Sequence, residues 1–313
     1  MNAIEVDRIS KRYDDRLALD AVSFVVRRGE IFGFLGRNGA GKTTTIKILT
    51  TLVRPTHGKA TVLGYDLEEF PLEIRKRTGL VQQRLSYEFS LPMEKQLQVY
   101  GRIWGLDREE SKTRATSLIE KFGLKESFGK LPVEMSIGQR RRMQIARELM
   151  HEMDLLFLDE ATTGLDVQTR RMTLDFFREK AREGLTIFFT THILQEAESL
   201  CDRVGIIDQG RIVAIDSIKS LKSKYRETQT LEISATPVSE AISVIDKLGF
   251  AGSVSTTTDG DSSIRIKLRA DESEKVISEV VAALVRDGVS ITKISLEEPS
   301  LEDVFINLTS GTT

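Results

Sequence analysis

The stretch FLGRNGAGKTTT sets Gly36 and Gly41 on either side of four loop residues, with Lys42, Thr43 and Thr44 directly after them. Glycines at that spacing let backbone N–H groups curl around phosphate oxygens, where a Cβ would obstruct the approach. Lys42 would reach the β- and γ-phosphates of a nucleotide, Thr43 would offer its hydroxyl to Mg²⁺, and Thr44 could bond an α-phosphate oxygen. Arg37, Asn38, Gly39 and Ala40 complete the cradle between the glycines. A second stretch, DLLFLDE at 154–160, closes an apolar run with two adjacent carboxylates. Asp159 would hold Mg²⁺ through water, and Glu160 could polarise an attacking water. A phosphate cradle with its own general base implies hydrolysis of ATP.

These groups need elements to hold them. The cradle follows the strand-like IFGFL and precedes the helix-like TTTIKILTTL, the context in which a helix N-terminus adds its partial positive charge to the anion site. Short β-rich runs (AIEVDRIS, GEIFGFLG, MDLLFLDE, GLTIFFTTH, VGIIDQG) alternate with helical patterns up to about residue 216, which predicts an α/β domain with a largely parallel sheet. Between about 90 and 150 the pattern is mostly helical, as in LPMEKQLQVYGRIWG and ESKTRATSLIEKFG, so a helical insertion is expected there. A Ser- and Lys-rich stretch at 217–228 marks the boundary, giving domains of 1–220 and 221–313. The second domain reads strand, helix, strand, an Asp-Gly-Asp turn, strand, helix, strand and a last helix, LEDVFINL; βαββαβ is the ferredoxin-like order of an α+β domain.

Bulk properties exclude several classes. The chain has 313 residues, with Lys plus Arg at 45 against Asp plus Glu at 47, so a dedicated nucleic-acid binder is not expected. Its one cysteine, Cys201, rules out an intrachain disulfide and fits a reducing compartment. No apolar run approaches the roughly 18 residues of a membrane span, so neither a leader nor a transmembrane helix is expected, and a membrane role would come through a partner.

MSIGQ at 135–139, shortly before DLLFLDE, resembles the signature of the ABC-type ATPases, Leu-Ser-Gly-Gly-Gln. Other positions match the same family: Tyr13 its adenine-stacking aromatic, Gln83 the glutamine that senses Mg²⁺ and the membrane partner, TTGLD at 162–166 the D-loop with Asp166, and His192 the switch histidine. The family's spacing from Gly79 favours Gln83 over Gln82. The resemblance implies a P-loop NTPase with a helical signature subdomain, and an ATP-dependent homodimer stacked head to tail. Ser136, Ile137, Gly138 and Gln139 would contact the ATP of the partner, His192 would donate to the γ-phosphate, and Asp166 would sit in the interface. It further implies a membrane permease on a separate chain, with this subunit peripheral on the cytoplasmic face of the membrane and driving export. Ile137 and Met135 depart from the signature, and Ala161 stands where proline often follows the catalytic glutamate. We expect Ile137 to tune engagement of ATP rather than abolish it.

Arg140, Arg141 and Arg142 then read most simply as a solvated or interface-facing edge of the signature helix, whose apolar stripe is Met143, Ala146, Leu149 and Met150. Leu97, Tyr100 and Trp104 share a helical face and read as core, which leaves Tyr87 and Phe89 as candidates for the permease-facing surface. PSLEDVFINLT at 299–309 is similar to the C-terminal extension of daunorubicin-type drug-resistance ATPases, an assembly or regulatory module; the competing reading is a plain packing domain. The alternative function is a soluble ABC-type ATPase acting on ribosomes or nucleic acid. Such relatives generally carry two ATPase units, long coiled coils or zinc insertions, and this chain shows one phosphate loop, one cysteine and no long heptad run.

Overall fold

The computed structural model describes residues 1–224, 228–248, 254–259, 261–269, 273–297 and 299–310. The chain divides into two compact units, Met1–Ile218 and Lys219–Thr313. Residues 225–227 of the sequence-predicted boundary and Gly260 of the Asp-Gly-Asp turn lie outside the described residues.

In the first unit, six strands form one sheet in the order Arg211–Ser217, Arg203–Asp208, Ile31–Leu35, Thr186–Thr191, Leu155–Asp159 and Thr78–Val81. All neighbours pair in parallel except Arg211–Ser217, which folds back antiparallel on Arg203–Asp208. The three central strands are buried along almost their whole length, as expected for a parallel sheet covered on both faces. Their carboxyl ends carry the phosphate loop, Asp159 and Thr191, so one end of the sheet gathers most of the chemistry-bearing residues.

The N-terminal strand departs from the expected parallel arrangement. Asn2–Tyr13 and Arg16–Arg27 are joined by Asp14 and Asp15 alone, a link that permits only an antiparallel pair, since parallel strands need a long crossover. With His57–Val62 and Tyr65–Asp66 they form a separate antiparallel sheet. The hydrophobic core packs the two sheets together around Phe24, Phe32, Phe34, Phe157 and Phe188, with Ile46, Ile48 and Leu49 of the helix Lys42–Leu49. Phe24 from the outer sheet lies 5.4–5.9 Å, centroid to centroid, from Phe32, Phe34 and Phe188.

The helical insertion contains Met93–Ile103, Arg108–Lys121 and Ile137–Glu148. Asp107 and Ser136 start the last two as capping boxes with Glu110 and Gln139, which fixes where each helix begins. Met143, Ala146, Leu149 and Met150 are buried as their spacing predicts. Leu97 is also buried, but Tyr100 and Trp104 are only half-buried: Tyr100 donates its hydroxyl to Glu148 (3.0 Å), and Trp104 stacks on His151 at 3.9 Å.

The second unit is an α+β ferredoxin-like domain. Its antiparallel sheet runs Val254–Asp259, Asp261–Arg269, Thr228–Thr236, Ser290–Glu297. Helices Val238–Lys247 and Ser273–Arg286 cover one face through a core that includes Leu231, Ile233, Val244, Ile264, Ile266 and Val280. Helix Leu301–Ser310 ends the described chain.

Candidate active site

The phosphate loop leaves the strand Ile31–Leu35 and enters the helix Lys42–Leu49 at Gly41. Gly41 has φ +115°, and a Cβ there would stand 2.6 Å from Leu19 Cδ2, so both backbone and space require glycine. A Cβ on Gly36 would meet the Ile207 carbonyl oxygen at 2.4 Å, which holds the loop close against the neighbouring strand. Lys42 is buried and donates its ammonium to the carbonyls of Gly36 (2.8 Å) and Arg37 (3.2 Å). Burial pushes its pKa down, against the upward pull of Glu160 and Asp159.

Asp159 ends the strand Leu155–Asp159. It accepts from Thr43 Oγ1 at 3.0 Å and from Thr190 Oγ1 at 2.8 Å, so strand, loop and helix are pinned at one carboxylate. The next residue, Glu160, adopts φ +50° without being glycine. A left-handed residue of this kind costs about 1–3 kcal/mol and persists where its surroundings over-determine it. Its N–H donates to the Thr190 carbonyl (3.1 Å), and three side chains converge on its carboxylate: Gln83 Nε2 at 3.0 Å, His192 Nδ1 at 3.4 Å and Lys42 Nζ at 3.7 Å. A buried carboxylate held by an amide, an imidazole and an ammonium is placed and oriented as a general base would need to be.

Lys42, Thr43, Gln83 and Glu160 border a cleft of about 530 Å³ that is also lined by Tyr13, Arg16, Asn38, Gly39, Gly41 and Thr44, while Asp159 and His192 contact Thr43 and Glu160 without lining it themselves. Gly36, Arg37 and Ala40 shape the loop without lining the cleft; the Ala40 N–H closes a turn on the Arg37 carbonyl (3.1 Å). Tyr13 presents an exposed ring to the cleft, as a stacking platform requires, and the Lys11 ammonium lies 5.1 Å from its centroid. A larger cleft of about 780 Å³ between Arg77, Arg114 and Lys180 contains none of these groups, and size is a poorer guide here than the convergence on Glu160.

The signature residues are not brought into this cleft. Ser136 and Gln139 are engaged with each other at the start of the helix Ile137–Glu148: the Gln139 N–H donates to Ser136 Oγ (3.2 Å), and the Ser136 N–H donates to Gln139 Oε1 (2.8 Å). Ile137 is 58% exposed, and its Cγ2 lies 3.1 Å from where a Cβ on Gly164 would be. The segments expected as signature and D-loop thus lie side by side within one chain. Asp166 is exposed and caps the helix Val167–Arg182, accepting from the Thr169 N–H (2.9 Å) and hydroxyl (2.7 Å), bonds that lower its pKa.

Four features were missed by sequence reasoning. Arg16, three residues after Tyr13, lines the cleft with Nη2 3.5 Å from the Gly39 carbonyl. Thr190 bridges Asp159 and the Glu160 backbone, and Glu196 gathers Thr162, Thr191 and Arg170. The arginine run is the fourth, and it needs correction. Arg141 is buried and donates to the carbonyls of Gln82 (2.8 Å) and Gln83 (2.6 Å), while Arg142 donates to those of Phe122 (2.7 Å) and Gly123 (3.1 Å). Arg141 is no solvated edge, and Arg142 is half-buried; backbone acceptors within reach engage both. The Arg-x-x-Gln-x-x-Arg spacing of 141–147 was the available signal.

A protein-family model described as ABC transporter matches residues 19–163, and one described as ATP-binding protein DrrA1-3-like, C-terminal domain, matches residues 217–309. The chain is 35% identical to the daunorubicin resistance ATP-binding protein DrrA3 of Streptomyces coeruleorubidus, over 98% of this chain and 96% of that protein. The chain belongs to the ABC transporter ATPases. It is also 32% identical to the linearmycin resistance ATP-binding protein LnrL of Bacillus subtilis, over 99% of both chains. A solved structure of the ATP-binding subunit of an ABC transporter superposes with TM-score 0.66 at 30% identity, covering 71% of this ATPase and 93% of that chain. Both regions of the ATPase, including the C-terminal domain, therefore have counterparts in drug-resistance ATP-binding proteins, and its substrate is ATP.

Proposed function

We propose that this ATPase is the motor of an exporter, working as a head-to-tail pair on a separate membrane permease. The observation that carries the pairing is the separation within one subunit: the cleft holds Asn38, Gly39 and Gly41–Thr44 of the phosphate loop and Glu160, with Asp159 bonded to Thr43, while Ser136–Gln139 lie outside it. A second copy would supply Ser136 and the Gly138 backbone, at the N-terminus of a twelve-residue helix, to the γ-phosphate. ATP then makes more contacts in the closed pair than in the open one, so binding favours closure and hydrolysis releases it.

Within the site, Lys42 and the loop N–H groups would bind the phosphates, and Tyr13 would stack on the base. Glu160 would take the proton of the attacking water, with Gln83 and His192 orienting its carboxylate. Thr43 Oγ1 and Asp159, hard oxygen donors already within 3.0 Å of each other, fit Mg²⁺, with Gln83 alongside. Bound there, the ion would neutralise phosphate charge.

The permease reading is supported by full-length similarity to resistance ATP-binding proteins, and no described helix is long and apolar enough to cross a membrane. We place the subunit peripherally on the cytoplasmic face. Tyr87 and Phe89 pack edge to face at 5.0 Å, and Phe89 is 62% exposed, an apolar surface suited to a permease segment. Alanine at both positions should abolish co-purification with the permease; an intact complex removes them from the interface.

Glu160→Gln tests the motor itself. ATP hydrolysis should fall about 10²–10⁴-fold while ATP still binds, and gel filtration with ATP and Mg²⁺ should show dimers. Full turnover would falsify the base assignment, and a monomer under all conditions would remove the pairing.

A further inference from the structure

Arg141, Gln144 and Arg147 stand three apart on the helix Ile137–Glu148 and direct donors to the loop after strand Thr78–Val81. Arg141 Nη1 reaches the Gln82 carbonyl and its Nη2 the Gln83 carbonyl. Gln144 Nε2 donates to the carbonyls of Gln82 (3.3 Å) and Arg84 (3.1 Å), and its Oε1 accepts from Arg141 Nη1 (2.9 Å). Arg147 Nη1 donates to the Ser86 carbonyl at 2.7 Å. Four loop carbonyls are thus held by three side chains of one helix. Every bond from these side chains to the loop goes to its backbone, so they fix the path of the chain whatever side chains the loop carries.

Arg141 is 4% exposed. Its Nε has no hydrogen-bond partner among the described residues, so the loop carbonyls taken by Nη1 and Nη2 are what offset its burial, and that planar fork matches two adjacent carbonyls in a way an ammonium cannot. Helix and loop are therefore bound to move together. The loop carries Gln83, whose amide is 3.0 Å from Glu160, and the helix starts at Ser136. The helix backbone, the Arg141 bonds and the Gln83 side chain together join the signature segment to the general base of the same subunit.

We propose that Arg141 is a positioning residue that couples engagement of the signature segment to the placement of Gln83 against Glu160. Resting on the pairing proposed above, this makes hydrolysis in one site responsive to the ATP that the same subunit's signature holds in the other. The fold uses one rigid helix to read one nucleotide and set the base for the next.

The test is a double-mutant cycle on the full chain. Arg141→Lys keeps the charge but loses the fork; its kcat should fall about tenfold, with ATP affinity by equilibrium dialysis unchanged. In the Gln83→Ala background, which lacks the positioned group, the same substitution should cost less than about twofold. Equal losses in both backgrounds, or an unchanged kcat for Arg141→Lys, overturn the proposal. If Arg141→Lys misfolds, Gln144→Leu removes two of the loop bonds and should show the same pattern at smaller amplitude. Adding Arg141→Lys to Glu160→Gln should leave ATP-dependent dimers; their loss in the double variant alone assigns Arg141 to assembly and overturns positioning. If Glu160→Gln alone forms no dimers, the pairing falls, and the kcat cycle still decides whether Arg141 acts through Gln83.

Discussion

Replacing Glu196 by alanine should destabilise the ATPase unit by about 3–5 kcal/mol, the cost of breaking a buried, paired charge. The side chain is 3% exposed. Its Oε2 accepts from Thr162 Oγ1 at 2.9 Å and Thr191 Oγ1 at 2.8 Å, and its Oε1 lies 3.3 Å from Arg170 Nε. Hydrogen bonds to a charged group contribute roughly 1.5–3 kcal/mol each, so the two threonine bonds alone reach about 3–6 kcal/mol. The Arg170 pair adds less, because the arginine is 30% exposed and water screens it. Alanine would leave two buried hydroxyls without their acceptor and Arg170 without its ion pair, though Arg170 keeps its bond to the Leu165 carbonyl. Glutamine keeps the shape and one acceptor oxygen but turns an N–H₂ toward Arg170, so Glu196→Gln should cost about 1–2 kcal/mol. Urea unfolding followed by fluorescence of Trp104, the only tryptophan, reads this unit directly. A loss under about 1 kcal/mol for alanine, or equal losses for both variants, would refute the reasoning. Because Thr162 lies two residues beyond Glu160 and Thr191 directly precedes His192, ATPase activity should fall in the same order.

Ile137→Gly should keep ATPase activity within a few-fold and cost about 0.5–1 kcal/mol of helix stability, since Ile137 is exposed and Ser136 and Gly138 are untouched; complete loss of turnover sinks the tuning role. Burial raises the Glu148 pKa above its ordinary 4.5, against the opposing pull of Arg147 and Tyr100. The folded state therefore holds a proton that the unfolded state releases, and stability is lost as pH rises from the ordinary value through the folded one, with the cost fully present above it. Glu148→Gln should remove this part of the pH dependence, so its urea midpoint should gain on the native protein as pH rises; parallel midpoints would exclude Glu148 as the source.

Much of the site was legible because it is local. The loop from Gly36 to Thr43 lies within eight residues, and Asp159 and Glu160 are adjacent, so spacing carried their chemistry. The ferredoxin-like order was legible for the same reason, through strand and helix periodicities along the tail. Arg141 shows the limit. Its sequence neighbours are arginines, but its partners are carbonyls at 82 and 83, about sixty residues earlier, and nothing in a run of basic residues says which one turns inward. The two N-terminal strands were legible as strands; their placement in a separate antiparallel sheet depended on the two-residue link at Asp14 and Asp15.

By itself the sequence determined the residue types, the cradle and the order of elements, since each depends on chain neighbours a few positions apart. Only the tertiary structure decided that Gln83, His192 and Lys42 meet at Glu160, that Glu196 gathers three distant partners, and that the signature stays outside its own cleft. These are contacts between elements far apart in the chain, fixed by how sheets and helices pack.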